Sequence, residues 1–382
     1  MIYLDNAATS WPKPPEVLDS IKEAMDLAGG NPGRSGHRLS IEAARRIYSC
    51  RERLAEFFNL TDVLRVIFTP NATYAINLVL KGLLKPGDSV VTSGMEHNAV
   101  MRPLRFLEGQ GIRIKTAAGG ADGTAGEDEI EDQFDSTTRL LVCTHASNVT
   151  GIVQPVEKLT ALAHRRGVKV LVDAAQSAGI LPIDIRRSGI DFLAFSGHKE
   201  LLGPTGCGGL LIHPDIDGSQ ITPLVQGGTG SRSDLEYQPE DWPDKFEAGT
   251  ANLIGIAGLE AGLKYIQARG IEELREQSIK LRKQLLEGLS VIPGVKIYGP
   301  SDPEAAVAIV SFTIKNKNVS DTGLFLDEEF GILTRVGLHC APVAHRAMGT
   351  FPEGTVRLSP GLFTTEDEIR KTLLAVRKAA RS

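Results

Sequence analysis

One lysine stands in a setting that suits covalent chemistry. The segment 191–213, DFLAFSGHKELLGPTGCGGLLIH, holds Lys199 in a polar turn between two apolar runs. Several glycines follow, so the backbone can approach a bulky group closely; they are Gly203, Gly206, Gly208 and Gly209. A loop lysine is usually a solvated charge. An amine in a tight, partly dry loop has a lowered pKa and can condense with a carbonyl group, and we therefore predict a Schiff-base lysine.

Two residues upstream could serve the same reaction. Asp173 ends the apolar run of LVDAAQ, where a strand-end cap is the alternative explanation. A carboxylate in this place can pair with a protonated ring nitrogen, as in enzymes that use pyridoxal phosphate. His97 follows the apolar run of SVVTSG. It is either a solvated loop imidazole or a ring that stacks on a planar cofactor and moves protons near neutral pH.

A phosphate group has a candidate place at the start of a helix. Ala72 and Thr73 begin the helical segment after LRVIFTP. Free backbone N–H groups and the helix dipole favour an anion there. N-capping by Thr69 or Asn71 explains the same turn equally well, so both explanations stay open at this point.

The four cysteines are widely spaced and form no C-x-x-C pair, which argues against a zinc cage or a disulfide framework. Cys340 lies in RVGLHCAPVAHRAMG near Arg335, and cationic neighbours on a loop are typical of a reactive thiol. Cys143 and Cys207 lie within apolar runs and are predicted to pack in the core. Cys50 is assigned no role.

A carboxylate substrate would need a cationic partner, and Arg357 in GTVRLSPG is a candidate. The planar fork of N–H donors on an arginine can bind a carboxylate through two hydrogen bonds. A surface arginine is an equal alternative on these residues alone.

Strands and helices alternate through the first two thirds of the chain, which predicts a mostly parallel sheet with helices on both faces. Ligands bind at the carboxyl ends of such strands, and polar residues follow several of the apolar runs. From about residue 262 the pattern predicts one long charged helix, then strands and a terminal helix with a capping threonine. We predict an N-terminal segment (1–25) that packs with a small C-terminal domain (261–382), and a large domain between them (26–260).

The composition limits the classes of partner. The formal net charge is -5 and no basic run occurs, so nucleic acid is not expected. The first residues, MIYLDNAATSWPKPP, lack the order of a secretory signal, and no apolar stretch approaches the roughly 20 residues of a membrane helix. We predict a cytoplasmic protein that does not bind membranes.

A set of motifs resembles the class V aminotransferase family of pyridoxal phosphate enzymes, and within it the cysteine desulfurases and selenocysteine lyases. The motifs run almost from end to end: YLDNAAT at 3–9, NPGRSGH at 31–37, NATYAINLV at 71–79, MEHNA at 95–99, SNVTG at 147–151, LVDAAQ at 171–176, FSGHK at 195–199, FEAGT at 246–250 and RVGLHCA at 335–341. The resemblance implies fold-type I, with a large cofactor-binding domain and a small C-terminal domain.

The resemblance also implies how pyridoxal 5'-phosphate would be bound. Lys199 would form the Schiff base, Asp173 would pair with the pyridinium nitrogen, and His97 would stack on the ring. Gln176 would contact the phenolic oxygen. The phosphate would be held by Ala72, Thr73, Ser196 and His198. FEAGT implies that Thr250 reaches the phosphate of a neighbouring subunit, so a homodimer with shared sites is expected.

The substrate side of the site follows from the same resemblance. Asn148 and Arg357 would bind the substrate carboxylate, with His37 and Arg335 nearby. Cys340 lies where the family has its sulfur-accepting nucleophile, and the RxGxxCA form resembles desulfurases whose cysteine lies on a short loop.

The implied reaction converts L-cysteine to L-alanine and leaves a persulfide on Cys340 for an acceptor protein. A selenocysteine lyase is the close alternative, because a selenolate leaves readily. A true aminotransferase and a non-catalytic scaffold of a sulfur pathway are further alternatives. Gly33, the NATYA turn and SPGLFTT depart from the family pattern, and two of these departures lie near the expected substrate pocket.

Overall fold

A computed structural model of the chain describes residues 1–33, 35–120 and 122–381; Arg34, in the motif NPGRSGH, lies outside them. Strands and helices alternate in the first part of the chain, as predicted. The elements in order are β1 (Ile2–Tyr3), α1 (Pro15–Leu27), α2 (Arg38–Phe57), β2 (Val66–Thr69), α3 (Ala72–Leu83), β3 (Ser89–Thr92), α4 (Asn98–Glu108), β4 (Arg113–Thr116), α5 (Glu127–Glu131), β5 (Thr138–Thr144), α6 (Val156–Arg165), β6 (Lys169–Asp173), α7 (Ile185–Ser188), β7 (Phe192–Ser196) and β8 (Gly208–Ile212).

The second part of the chain contains two long helices and a smaller set of strands. The elements are α8 (Leu253–Arg269), α9 (Ile271–Ser290), β9 (Val295–Tyr298), β10 (Val310–Ile314), α10 (Val319–Phe330), β11 (Ile332–Leu333), β12 (Arg335–Gly337), α11 (Pro342–Ala347), β13 (Thr355–Leu358) and α12 (Glu366–Arg381). The predicted capping threonine is confirmed, because Thr365 Oγ1 accepts from the Glu368 amide at 3.3 Å.

The prediction of one long helix from residue 262 is wrong. The segment forms two helices, α8 and α9, which meet at Gly270. Gly270 has φ of 85°, a left-handed conformation that ends a right-handed helix and that glycine adopts without steric cost. Charged, helix-forming residues lie on both sides of Gly270, so the sequence pattern alone predicts a continuous helix.

The central sheet has seven strands in the order β2-β8-β7-β6-β5-β3-β4. The strands from β7 to β4 are parallel to one another, and β8 runs antiparallel to both of its neighbours. The prediction of a mostly parallel sheet is therefore confirmed. The carboxyl ends of β2, β3, β5, β6 and β7 lie at one edge of this sheet.

Helices cover both faces of the central sheet. Along β7, Leu193 and Phe195 join a core with residues of α2, α6 and α8. Their neighbours Phe192 and Ala194 join a second core with residues of α3 and α4. This alternation follows from the two-residue period of a strand whose two faces are both buried.

A second, antiparallel sheet has the order β12-β13-β10-β9 and packs on α9, α10 and α12 around a third core. The N-terminus contributes to this core, because β1 pairs with β11 and both Ile2 and Leu4 are buried in it. Helix α1, in contrast, packs on α8 and α2. The domain limits at residues 25 and 260 stay predictions. Within the described ranges, no helix is long and apolar enough to cross a membrane.

Candidate active site

Lys199 lies on the turn that connects β7 to β8, at the carboxyl edge of the central sheet. Burial lowers the pKa of its amine to about 8, although the Asp173 carboxylate opposes the shift. The unprotonated amine, which is the form that attacks a carbonyl carbon, is therefore far more abundant near neutral pH than in an ordinary lysine, although it remains the minor form.

Asp173 ends β6, one strand away from β7, and is buried. Its Oδ1 accepts from the Ala175 amide at 2.9 Å, so the turn-forming role considered from the sequence is present. Its Oδ2 makes no hydrogen bond with other described residues. Burial raises the pKa of this carboxyl, while the Ala175 amide and the Lys199 charge lower it. A carboxylate on a buried residue, with one oxygen left for a further contact, suits a cationic ligand group.

His97 caps the N-terminus of α4, and its Nδ1 accepts from the Ala99 amide at 3.0 Å. Burial, together with the charges of Lys199 and Arg335, lowers the pKa of His97 to about 4. The ring is therefore neutral near pH 7, with its proton on Nε2. It is not the solvated loop imidazole that the sequence allowed.

The two segments predicted to bind the phosphate, the start of α3 and the end of β7, are in contact. Ser196 Oγ, at the end of β7, accepts from the Ala72 amide at 3.2 Å, and Ala72 is the first residue of α3. Asn71 is the N-cap, because its Oδ1 accepts from the Tyr74 amide at 3.0 Å. Capping and the anion site are thus compatible, since the cap leaves the amide of Thr73 available.

Three further predicted cofactor ligands lie around this edge. Gln176 is buried and donates from Nε2 to the Ala7 carbonyl at 2.9 Å. The Nδ1 of His198 is buried and has no partner among the described residues, and burial lowers the pKa of this ring to about 4. Thr250 is exposed and lines a cleft of about 330 Å³ together with Tyr74 and Gly206.

Cys340 is exposed and lies on the turn between β12 and α11. Arg335 Nη2 donates to its Sγ at 3.1 Å. The Asn98 amide donates to the Cys340 carbonyl at 2.8 Å, and Asn148 Nδ2 donates to the His339 carbonyl at 2.6 Å. The turn that carries the thiol is therefore tied to residues that follow β3 and β5.

His339 and Cys340 both have left-handed backbone conformations, with φ of 46° and 58°. Such conformations cost non-glycine residues free energy and persist where surrounding contacts fix them. The contacts from Asn98 and Asn148 do so here, together with a hydrogen bond of 2.9 Å between His339 Nε2 and Thr355 Oγ1. The thiol is held in one place on a short turn.

The other three cysteines are buried, which confirms core packing for Cys143 and Cys207. Burial raises the pKa of the thiols of Cys50, Cys143 and Cys207, so each is protonated at neutral pH. All four cysteines of the sequence are described, and Cys340 is the exposed one.

The residues predicted to bind the substrate also make contacts with other residues of the chain. Arg357 is fully buried, forms an ion pair with Asp5 and donates to the Asn148 carbonyl at 2.9 Å. Asn148 and Arg335 form hydrogen bonds with the turn that carries Cys340. His37 is exposed at the N-cap of α2, where its Nδ1 accepts from the Ser40 amide at 3.3 Å. Binding of a substrate carboxylate by these four residues stays a prediction.

Hydrogen bonds join the two parts of the chain at this site: the Asn98 amide, next to His97, donates to the Cys340 carbonyl, and Arg357 donates to the Asn148 carbonyl. The charges of Lys199 and Arg335 both act on His97, and those of Arg357 and Arg335 both act on Lys199. Arg357 in turn lies within the field of Cys340. The lysine of the central sheet and the thiol of the smaller sheet therefore border one region.

One buried carboxyl beside the site, Glu96, was assigned no role from the sequence. Glu96 precedes His97, accepts from the Ser93 hydroxyl, and accepts from the Thr144 amide at 2.9 Å through Oε1. Burial raises its pKa to about 8, so this carboxyl is mostly neutral at pH 7. Its position in the motif MEHNA, directly after a buried strand, was the available signal.

Comparison with known proteins decides the family. The family model described as aminotransferase class-V matches residues 2–372. The chain belongs to the class V aminotransferase family. The resemblance stated from the motifs and the predicted fold class are both confirmed.

Several relatives in this family are named cysteine desulfurases. A probable cysteine desulfurase from Methanothermobacter thermautotrophicus is 38% identical over 374 residues, 97% of this chain and 92% of the relative. A cysteine desulfurase from Escherichia coli O127:H6 is 33% identical over 389 residues, 100% of this chain and 94% of the relative. The apo structure of a cysteine desulfurase from Thermococcus onnurineus NA1 superposes with a TM-score of 0.93 at 32% identity, covering 100% of this chain and 94% of that one.

Class V aminotransferases use pyridoxal phosphate, and the residues of this chain fit that group. The Asp173 carboxylate, of which Oδ1 accepts from the Ala175 amide, suits a pyridinium nitrogen at its other oxygen. The unpartnered His198 Nδ1 lies on the same turn as the amine that would bind the aldehyde. The start of α3 beside Ser196 suits the phosphate. Each group of the cofactor thus has a chemically matched partner at one edge of the sheet.

Proposed function

We propose that the protein is a pyridoxal phosphate-dependent cysteine desulfurase that converts L-cysteine to L-alanine and receives the sulfur on Cys340 as a persulfide. The observation that carries the proposal is the exposed Cys340 thiol, in contact with Arg335 and bordering the same region as Lys199. The names of the relatives favour this substrate over the selenocysteine alternative.

Besides Lys199, seven residues of the chain would hold the cofactor within one subunit. Asp173 would bind the ring nitrogen, Gln176 the phenolic oxygen, and His97 one face of the ring. The phosphate would be bound by Ala72, Thr73, Ser196 and His198. When bound, pyridoxal phosphate withdraws electrons from the Cα of the substrate, and Asp173 maintains this capacity by keeping the ring nitrogen protonated.

Lys199 carries two tasks. Its amine would hold the cofactor aldehyde, and its lowered pKa increases the fraction in the reactive, neutral form. The free Lys199 amine would also take the proton from the substrate Cα and later return one. The neutral His97 can donate a hydrogen bond through Nε2 toward the reacting atoms.

Cys340 performs the sulfur transfer. Its thiolate attacks the sulfur of the substrate, so that one S–S bond forms and the Cβ–S bond of the substrate breaks. The electron pair of the broken bond stays with the carbon skeleton, and a proton completes the methyl group of alanine. Overall, L-cysteine and one thiol give L-alanine and one persulfide, with no oxidant or reductant consumed.

Arg335 is expected to keep the Cys340 sulfur reactive, because a guanidinium donor stabilises a thiolate. Arg335→Gln should slow alkylation of Cys340 by iodoacetamide at pH 7 severalfold (about threefold or more), because the charge-assisted hydrogen bond to Sγ is lost. Arg346→Gln is the matched control, since Arg346 is an exposed cation of α11 that stacks on Phe351. Equal alkylation rates in native protein and Arg335→Gln would show that Arg335 does not keep Cys340 reactive.

We further propose a homodimer in which Thr250 reaches the phosphate of the second subunit. Its exposure at a cleft beside the start of α3 supports this assignment. The accessibility of Cys340 supports delivery of the persulfide to an acceptor protein. The cytoplasmic location and the domain limits at residues 25 and 260 stay parts of the proposal.

The reaction itself is tested with purified protein, pyridoxal phosphate and L-cysteine in the presence of a thiol reductant. We expect alanine and sulfide in equal amounts, because the reductant releases the transferred sulfur. Pyruvate as the product, or a stable aminated cofactor that requires a keto acid for turnover, would instead indicate a different reaction on the same fold.

A further inference from the structure

Glu96, on the turn between β3 and α4, carries a fully buried carboxyl that the proposed reaction does not use. The Ser93 hydroxyl and the Thr144 amide both donate to its Oε1, the amide at 2.9 Å. The Met95 amide donates in turn to Ser93 Oγ at 3.2 Å. One carboxyl oxygen therefore joins the turn after β3 to the end of β5.

This oxygen takes the place of a missing partner in the central sheet. Strands β3 and β5 are neighbours, and their paired residues end at Thr92 and Val142. Strand β5 continues for two further residues, along which it still pairs with β6. Its last residue, Thr144, is buried, and an unpaired amide there would carry a free-energy cost. Glu96 supplies the acceptor that β3 no longer provides, because the chain has left the sheet to form the turn that carries His97.

The strand end that donates to Glu96 is also tied to Asp173. The His145 amide, one residue after Thr144, donates to the Asp173 carbonyl at 2.9 Å. Two consecutive amides of β5 and its extension thus donate to opposite neighbours, Glu96 on one side and the end of β6 on the other. The spacing between Asp173 and His97, which follows Glu96, therefore depends on this pair of hydrogen bonds.

The same turn also reaches the thiol. The Asn98 amide donates to the Cys340 carbonyl at 2.8 Å, and the His97 ring is fixed at the start of α4 by its hydrogen bond of 3.0 Å with the Ala99 amide. Glu96, His97 and Asn98 are consecutive, so a displacement at Glu96 is passed to the ring on one side of the site and to the Cys340 turn on the other.

Filling space does not explain a carboxyl in this position. A leucine side chain would fill a similar volume without the cost of burying a polar group. The titratable groups that face Glu96 are Asp173 and Cys143, and burial raises the pKa of Glu96 to about 8, so that it is mostly neutral at pH 7. Its Oε2 has no partner among the described residues. The contacts therefore use the acceptor Oε1, which a glutamine side chain also has.

We propose that Glu96 is a positioning residue: its Oε1 replaces the sheet acceptor at Thr144, which fixes His97 relative to Asp173 and anchors the Cys340 turn through Asn98. The proposal rests on the proposed function, in which His97 and Asp173 hold the cofactor and Cys340 receives the sulfur. Glu96 acts through these residues and has no chemical step of its own.

The first test uses the cofactor-free protein. Amide hydrogen exchange is measured by mass spectrometry for the segments 93–99, 144–148 and 338–341 in native protein, Glu96→Leu and Glu96→Gln. Glu96→Leu leaves the Thr144 amide and the Ser93 hydroxyl unpaired, so exchange should be about tenfold faster or more in all three segments. Glu96→Gln keeps an acceptor oxygen, and its exchange should stay within about twofold of native protein.

The second test adds pyridoxal phosphate and saturating L-cysteine. Glu96→Leu should release alanine about 10- to 100-fold more slowly, because His97 and Cys340 are displaced from the reacting atoms, and Glu96→Gln should match native protein within about threefold. The visible cofactor band of Glu96→Leu should persist, since Lys199 is unchanged, but its circular dichroism should change with the displaced His97 ring. Glu260→Leu is the matched control for both tests, because Glu260 of α8 is also buried and accepts from a serine hydroxyl at 2.9 Å.

The outcomes separate this proposal from the function on which it depends. If native protein releases no alanine from L-cysteine, the proposed function fails, while exchange in the cofactor-free variants still decides the positioning role. Native exchange at 338–341 in Glu96→Leu would limit Glu96 to local packing and overturn the proposal, as would a Glu96→Gln protein that is impaired as much as Glu96→Leu.

Melting temperatures of the cofactor-free variants show whether Glu96→Leu is folded. If it is not, Ser93→Ala takes its place, because this variant keeps the carboxyl and removes one of its two donors. Ser93→Ala should raise exchange at 338–341 by about threefold, and unchanged exchange in that segment would overturn the proposal.

Discussion

Replacing Lys199 by alanine is expected to abolish the visible band of the bound cofactor and to lower alanine formation by about 10⁴-fold or more. The variant loses the amine that binds the aldehyde and also the base that takes the Cα proton. Asp173, Ser196 and the start of α3 remain, so the variant should still bind pyridoxal phosphate, but without a covalent bond.

The measurement compares absorbance and alanine release for native protein, Lys199→Ala and Lys22→Ala. Lys22 is exposed on α1, so its loss controls for the removal of a lysine as such. Cofactor retention after gel filtration distinguishes a folded, non-covalent complex from a failure to bind. A Lys199→Ala protein that keeps the band and its turnover would place the reactive amine elsewhere.

Replacing Cys340 by alanine is expected to reduce alanine release from L-cysteine by more than about 10³-fold, because the sulfur then lacks its acceptor. The loss with L-selenocysteine should be smaller, within about tenfold, since a selenolate leaves readily without a thiol nucleophile. The two substrates in one experiment therefore separate the nucleophilic role of Cys340 from a general defect of the site.

The matched control is Cys50→Ala, which removes a buried thiol with a raised pKa from α2. Both variants should keep the cofactor band, because neither residue lies among the predicted cofactor ligands. Full activity of Cys340→Ala on L-cysteine would exclude the persulfide route. Equal loss on both substrates would indicate that Cys340 has a structural role in the turn.

The sequence allowed the lysine side of the site to be predicted because its residues follow buried strands. Asp173 after β6 and Lys199 after β7 both stand directly behind an apolar run, and parallel strands bring such positions to one edge. The same reasoning gave His97 its place after β3. Local pattern and one topological rule were sufficient for these residues.

The contacts that fix these residues could not be predicted in the same way. Asp5 and Arg357 form an ion pair across 352 positions, and Lys13 and His198 meet across 185. No local pattern encodes such pairs, because they depend on how the two sheets pack. Arg335 is an exception: the sequence predicted it as a cationic neighbour of Cys340 five positions away, and its guanidinium contacts Cys340 Sγ at 3.1 Å.

Mass analysis of the Cys340 peptide after a single turnover with L-cysteine, without reductant, tests the central claim most directly. The account predicts one added sulfur atom on Cys340, in the same amount as the alanine released, and none on the buried cysteines. Alanine release with an unmodified Cys340 would contradict the account.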